Sequence, residues 1–313
     1  MMTQSQKSHV LTYGDAFVDY IATDSTNTSF SMFLGGATVN VAVGVARLGV
    51  PSAFITITGD DATSEFVRGE LEVEEVIMDF AKVEPEKRVS GVYVHLTEDH
   101  DRIFHQYIDD APHIQVGAED LKEEAFEKAS VLNLCSGTLF QPKALETSRK
   151  AVEYAKKHGA LLSFDANIRP LRWNSETECR ETISSFFKDA DLLKFTEEEL
   201  TFLTETTTME EGLAAIAKLN IPIILITAGA EGTYAVLNGE LQHVPVEPVV
   251  PVDTTGAGDA FMAGVLRYVH LNGLPSTMES LIECTAFANH LGALAATKAG
   301  ALTAMPRLSE LQI

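Results

Sequence analysis

The chain of 313 residues carries 45% hydrophobic and 22% charged residues, the balance of a globular protein whose core needs no covalent staples. Its 45 acidic against 23 basic residues leave a net charge of −22, which excludes a backbone binder of nucleic acid, because such a protein needs a basic face to release counterions. Cys135, Cys179 and Cys284 are an odd count at wide spacing with no CxxC pair, which excludes a disulfide framework and a cysteine zinc site.

In chain order, the N-terminal MMTQSQKSHVL has no apolar h-region, and no later apolar run reaches membrane-spanning length. A cytoplasmic protein without membrane or nucleic-acid partners is expected. HVLTYGDAF reads as a first strand ending in a polar turn, and SFSMFLGG as a second short apolar run. ATVNVAVGVARLG sets apolar residues at helical spacing and closes on Gly49 as a C′ residue; PSAFITITG follows as a strand. RVSGVYVHLTEDHDRIFHQYI, residues 88–108, alternates apolar and polar residues about EDHD and predicts a β-hairpin. Together with segments at about 16–34, the stretch at about 88–110 predicts a small sheet that acts as a lid. His95, His100 and His105 lie in that hairpin and read as solvated, with His105 in reach of a ligand only when the lid closes. Trp173 and the phenylalanines read as core.

Further on, ASVLNLCSG, ALLSFDANI, DLLKF and PIILITAGA are short apolar runs ending in polar residues or glycine. Amphipathic stretches such as PKALETSRKAVEYAKKHG and TTMEEGLAAIAKLN separate them. Strand and helix alternating at this spacing predict an α/β fold, a doubly wound, mostly parallel sheet sandwiched by helices. No linker or repeat divides it, so residues 1–313 are expected to form a single domain. Ligands of such sheets bind beyond the carboxyl ends of the strands. The stretches there are GDAFVD, FDANIR, KFTEEE, TAGAEG and DTTGAGD, and all five carry acids or glycines.

DTTGAGDAF, residues 253–261, is the most loaded of these. A helix starting near Ala257 aims unpaired N–H groups and a positive dipole end at whatever occupies the loop, and the glycines let a phosphate approach. Asp259 repels phosphate, but it can take the proton of a hydroxyl that attacks phosphorus. On the glycines alone, a helix start with an acidic residue in its first turn is the simpler reading. No GxxxxGK[ST] and no HRD or DFG set is present, so this is neither a P-loop enzyme nor a protein kinase.

Two stretches together resemble the signatures of the PfkB, or ribokinase-like, carbohydrate kinases. DTTGAGDAFMAGVL, from Asp253 to Leu266, resembles the C-terminal one. GGATVNVAVGVARLG followed by Gly59 resembles the N-terminal one, with Gly35, Gly36, Asn40, Ala42, Gly49 and Gly59 in place. The similarity runs nearly the full length. It implies a ribokinase-like fold and an ATP-dependent sugar kinase acting on a primary hydroxyl. It makes Asp259 the catalytic base and Gly256, Ala257 and Gly258 the anion hole for the transferred group. Asp15, Asp19, Gly35, Gly36 and Asn40 match sugar binders, and carboxylates suit vicinal hydroxyls because they accept their hydrogen bonds. FDANIRPLRW resembles a DxNxRxxLW stretch of hexose-acting relatives, placing Asp165, Asn167 and Arg169 between sugar and phosphates. The resemblance assigns Lys194, Thr227, Gly229, Gly232 and Asn289 to the nucleotide, Glu199 to Mg²⁺ through water, and Asp253 and Thr255 to a K⁺ site.

Two positions depart from the pattern. Thr196 replaces the Asn of an Asn-x-x-Glu motif, which implies a weakened or rearranged Mg²⁺ organisation. Thr38 stands where Gly, Ala or Pro is usual in a loop facing the sugar, which bears on sugar identity. The similarity to fructokinases makes fructose the first substrate. 2-Keto-3-deoxygluconate is second, with Arg102 the lid's cation for its carboxylate, and ribose or nucleosides are third. A catalytically weak sugar- or nucleotide-binding regulator is the reading from another class, and a homodimer through the lid is the partner expected.

Overall fold

The computed structural model describes residues 7–97 and 102–311. β1 (His9–Tyr13) is buried throughout and leads through Gly14 and Asp15 into β2 (Phe17–Ala22) and β3 (Phe30–Gly35). In α1 (Ala37–Arg47) every residue from Thr38 to Val45 is buried, so this helix is a central strut between layers. It ends at Leu48, and Gly49 takes the left-handed conformation (φ +78°) expected of a C′ residue.

The strand expected over PSAFITITG is split into β4 (Ser52–Ile55) and β5 (Ile57–Thr58). After α2 (Ala62–Val73), β5 pairs with β6 (Lys82–Val83) outside the main sheet. The hairpin expected at 88–108 is β7 (Ser90–Leu96) and β8 (Arg102–Ile108). Then come α3 (Glu123–Lys128), β9 (Ala129–Cys135), α4 (Pro142–His158), β10 (Leu161–Asp165), α5 (Glu176–Ser184), β11 (Leu192–Thr196), α6 (Glu197–Thr204), α7 (Met209–Ile216) and β12 (Ile223–Thr227). The chain closes with β13 (Thr233–Leu237), β14 (Glu240–Val244), α8 (Ala257–Asn272) and α9 (Met278–Ala296).

The main sheet has eight strands in the order β14-β13-β12-β11-β10-β9-β1-β4. From β12 to β4 every pairing is parallel; the β12–β13 and β13–β14 pairings are antiparallel, so β13 alone runs against the rest. Successive strand residues fall into different cores: Leu11, Leu132, Phe164 and Leu193 pack toward α4, α5 and α6, and Val10, Val131 and Leu192 toward α8 and α9. This two-sided burial is why the strands read as unbroken apolar runs. Each fully buried Leu or Phe contributes about 1.5–3 kcal/mol. The β13–β14 hairpin was not foreseen, although its two-residue loop, Asn238-Gly239 with φ of +50° and +89°, is the strongest short hairpin signal there is.

A second sheet has the order β3-β2-β7-β8. Val18 and Leu34 pack on Val39 and Val43 of α1 and seat this sheet on the main layers. On its other face the register aligns Phe33, Asp19, Val92 and Tyr107 in one row across all four strands. His95 and His105 stack at 3.9 Å on the face that carries Tyr20 and Tyr93, away from Asp19, so His105 does not approach that row. His100 and the side chain of Arg102 lie outside the described residues. Among the described residues no helix is long and apolar enough to cross a membrane.

Candidate active site

The parallel strands bring their carboxyl ends to one edge. Register sets Asp165 of β10 between Cys135 of β9 and Lys194 of β11, and Thr196 opposite Thr227. Lys194 Nζ lies 3.1 Å from Asp165 Oδ1, and these residues are only 5% and 4% exposed. A Cβ built on Gly258 would lie 3.6 Å from Lys194 Nζ, so β11 reaches the DTTGAGD loop. Burial opposes the charge on Lys194, but Asp165, Glu199 and Asp259 outweigh it and hold the ammonium more firmly protonated than usual. Lys194 therefore stands beside the glycine loop that starts α8. The Cys135 thiol beside them is pushed up to about 12 by burial, and Cys179 and Cys284 are buried in the core.

The start of α8 is set by its glycine. Gly256 adopts φ +81°, and a Cβ there would lie 2.8 Å from Ala301 Cα, so no other residue fits without displacing the 300 loop. The turn leaves the N–H groups of Gly256 and Gly258 without acceptors among the described residues, whereas Ala257 N–H is committed to Thr254 O at 3.2 Å. Of the expected three-residue anion hole, two amides are open. Asp259 follows in the first helical turn, and its Oδ2 accepts from Asn40 Nδ2 at 2.8 Å, which ties α8 to α1. Asn40 is 4% exposed, and its Oδ1 has no partner among the described residues. A buried acceptor without a donor is costly, so a hydroxyl arriving beside Asp259 would satisfy it.

Asp259 keeps some accessible surface but lies deep in the cleft. Burial pushes its carboxyl up to about 6 and Asp165 adds to the rise, against the Asn40 hydrogen bond and the charges of Lys194 and Arg169. A base needs the deprotonated form, and protonation increases as pH falls. A pH–rate profile should therefore show kcat/KM for the free enzyme falling below about pH 6, with that limb absent where Asp259 is replaced.

At the opposite end of the cleft, Gly36 at φ +101° approaches Asp15 O, and a Cβ on Gly35 would lie 3.4 Å from Asp19 Oδ2. Burial raises the Asp15 carboxyl and Asp109 adds to this, while Lys87 and Arg172 lower it. Thr38 does not open toward this space. It is 5% exposed, packs on the backbone of Gly14 and donates from Oγ1 to Asp15 O at 3.1 Å. Its departure from the family pattern fixes the turn beneath Asp15 and makes no contact that would select a sugar.

Asn167 holds a left-handed φ of +36°, and its carbonyl accepts from Ser136 Oγ at 3.2 Å. Arg169 is exposed, donates to Ile168 O at 3.0 Å and turns its charge toward Asp259. Arg172 was missed. It occupies the Leu position of the DxNxRxxLW stretch, and that departure was the signal that could have found it. Its guanidinium sits 4.3 Å over the Phe140 ring and 3.7 Å from Asp109. The same turn thus aims one cation at each end of the cleft.

Thr196 caps α6. Its Oγ1 accepts from Glu199 N at 3.1 Å, while Glu199 Oε2 accepts from Thr196 N at 2.8 Å and Oε1 from Ile168 N at 2.7 Å. Thr supplies the N-cap acceptor that Asn would, so Glu199 is held rather than loosened. Burial and Asp165 raise its carboxyl. Beyond β12, Thr227 Oγ1 donates to Phe195 O, Gly229 (φ +55°) faces open space, and a Cβ on Gly232 would collide with Val244 O. Asn289 is buried and accepts from Thr233 Oγ1 at 2.6 Å while donating to Val244 O at 2.9 Å, so it clamps α9 to β13 and β14. Asp253 accepts from Thr255 N and Oγ1 on one oxygen and from Gly300 N on the other, which fixes the loop ahead of Gly256.

With a doubly wound sheet, a buried carboxyl at a glycine-capped helix start and a second small sheet, the chain belongs to the pfkB family of carbohydrate kinases, whose family model matches residues 7–308. The fructokinase of Vibrio alginolyticus is 36% identical over 298 residues, covering 95% of this chain and 96% of that one. The fructokinase of Klebsiella pneumoniae is 38% identical over 279 residues, covering 89% and 90%. A double mutant of the fructokinase from Vibrio cholerae O395, solved with fructose, ADP and potassium ion, superposes with a TM-score of 0.85 at 33% identity over 97% of each chain.

Proposed function

We propose that this kinase transfers the γ-phosphoryl group of ATP to a primary hydroxyl of fructose. The observation that carries the reading is the first turn of α8, where a carboxyl raised to about 6 stands beside two open amides and is oriented by Asn40. Asp259 orients the hydroxyl and accepts its proton. Gly256 and Gly258 N–H groups and Lys194 meet the charge that develops on the phosphoryl oxygens. Asn40 Oδ1 and the carboxylates of Asp15 and Asp19 accept from the sugar hydroxyls, and the row Phe33, Val92 and Tyr107 covers its carbon skeleton. Arg169, Asn167, Thr227, Gly229 and Gly232 lie on the path of the polyphosphate.

The donor set fits Mg²⁺ held mainly by phosphate and water. Among the described residues no group of three or more acids, histidines or cysteines could hold a metal, and Glu199 keeps lone pairs for water. Bound there, the ion would neutralise charge on the phosphates; Asp253 and Thr255 mark the monovalent-cation loop.

Fructose is favoured over an acid sugar because the cations at the Asp15 end are matched. Among the described residues Arg172 faces Asp109 and Lys87 acts on Asp15, which leaves no surplus charge there for a carboxylate. The small sheet acts as a lid within one domain. Its exposed Phe33 and Tyr107 continue into the surface through which a second copy would pair, and the reduced thiols suit the cytoplasm. Release of ADP from Mg-ATP with K⁺ and a panel of fructose, 2-keto-3-deoxygluconate, ribose and nucleosides tests the reading. Fructose should give the highest kcat/KM, and sugar binding without turnover on any member would establish the regulatory alternative instead.

A further inference from the structure

We propose that Arg47 is a positioning residue for phosphoryl transfer: from the end of α1 it holds the segment after α9 against the glycine turn that starts α8. This rests on the functional reading above and assigns a role to a side chain that reading does not use.

Arg47 is the last residue of α1, and its side chain is 9% exposed. Its guanidinium is committed in two directions. Nε and Nη2 donate to the two carboxylate oxygens of Glu74 at 2.9 and 2.6 Å, a fork on the residue that ends α2. Nη1 donates to Leu302 O at 2.7 Å and to Met305 O at 2.9 Å. Arg307 donates to the same Glu74 carboxylate at 3.0 and 3.1 Å but touches neither carbonyl. Residues 297–306 form no helix or strand, so the course of this segment depends on what it is tied to.

The tied segment is the one the glycine turn leans on. Gly300 N donates to Asp253 Oδ2 at 2.9 Å, and Ala301 packs against Gly256 so closely that no Cβ fits between them. The open N–H groups of Gly256 and Gly258 are therefore set from behind by residues 300 and 301, and Arg47 grips the chain at residues 302 and 305. The same helix also reaches α8 directly. Asn40 Nδ2 donates to Asp259 Oδ2 at 2.8 Å, and a Cβ on Gly44 would lie 2.7 Å from Ala263 Cβ and 3.1 Å from Met305 Sδ. α1 thus fixes the base through Asn40 and the phosphoryl-binding turn through Arg47. In-line transfer tolerates little change in the separation of those two parts.

The test compares Arg47→Met, Arg47→Lys, Glu74→Gln and Arg307→Met with the parent enzyme. Each is read by Tm, by kcat and fructose KM well below the lowest Tm, and by hydrogen exchange of residues 253–258 and 297–306. All four should melt earlier. Glu74→Gln and Arg307→Met leave both carbonyl contacts in place and should keep the parent kcat. Arg47→Met should lower kcat about tenfold with fructose KM unchanged, and should speed exchange selectively in the two segments. Arg47→Lys should recover part of the Tm through its charge beside Glu74 and little of kcat, because one ammonium cannot reach the acceptors that the fork serves. A purely structural arginine would lower Tm and leave kcat and local exchange at parent values, which overturns the proposal, as does a kcat loss in Glu74→Gln equal to that of Arg47→Met. Should Arg47→Met fail to fold, kcat and exchange of Arg47→Lys give the same two outcomes. Absence of fructose turnover in the parent enzyme removes the functional reading and leaves exchange to decide whether Arg47 holds the turn; an active parent with an unmoved kcat in Arg47→Met removes this inference alone.

Discussion

Asp259→Asn leaves the protein folded and able to bind ATP and fructose, and lowers kcat by about 10²–10⁴-fold, the usual contribution of a positioned base. The substitution is nearly isosteric. The amide oxygen can still accept from Asn40 Nδ2, the contact that ties α8 to α1, so the helix start and its open amides persist. What is lost is the ability to take a proton. Replacing a carboxyl raised by burial with a neutral amide also removes a strained charge, so stability should hold or rise. Thermal melting and ATP titration of the variant separate the two roles. A variant that melts early and loses kcat only in proportion to its unfolded fraction would make Asp259 a helix-capping acid.

The largest stability effect is expected at Lys194. Lys194→Met fits the space but strands Asp165 as a buried charge, with Glu199 and Asp259 also facing it. Breaking a buried pair by removing one partner costs about 3–5 kcal/mol. In a chain of this size that lowers Tm by about 5–8 °C. Adding Asp165→Asn should return most of the loss, because a neutral pair needs no compensating charge. Activity should not return if, as proposed, Lys194 Nζ next to Gly258 meets the charge of the transferred phosphoryl group. Scanning calorimetry of the single and double variants reads both statements. A double variant no more stable than Lys194→Met would mean that Lys194 acts by packing alone.

The layered fold was legible because its strands are buried on both faces. Val10 and Leu11 feed opposite cores, and such runs admit little besides a parallel sheet between helices. The antiparallel edge was equally legible in Asn238-Gly239 and went unread. β5 was not legible: Thr56 separates it from β4, and what draws it out of the main sheet is its partner β6, some 25 residues later.

The site divides in the same way. The helix start at Ala257 was readable because the requirement is local, a left-handed glycine ahead of the helix, whereas the role given to Asp259 came from the family resemblance. The partnership of Asp259 with Asn40 spans 219 positions, and no spacing rule encodes it. Arg172 went unseen because an arginine in a polar stretch reads as solvated, and only the folded turn after β10 brings it over Phe140 and beside Asp109. Thr38 and Thr196 looked like losses against the family pattern. In place, one fixes the turn beneath Asp15 and the other caps α6, functions any small hydroxyl can serve.

The central claim is transfer to a primary hydroxyl of fructose with Asp259 as base, and the product carries the answer. Phosphorus NMR of a reaction run to completion with Mg-ATP and fructose should show a phosphate ester coupled to the protons of a CH₂ group, formed in step with ADP. Inorganic phosphate alone, or an ester coupled to the proton of a secondary carbon, would contradict the account.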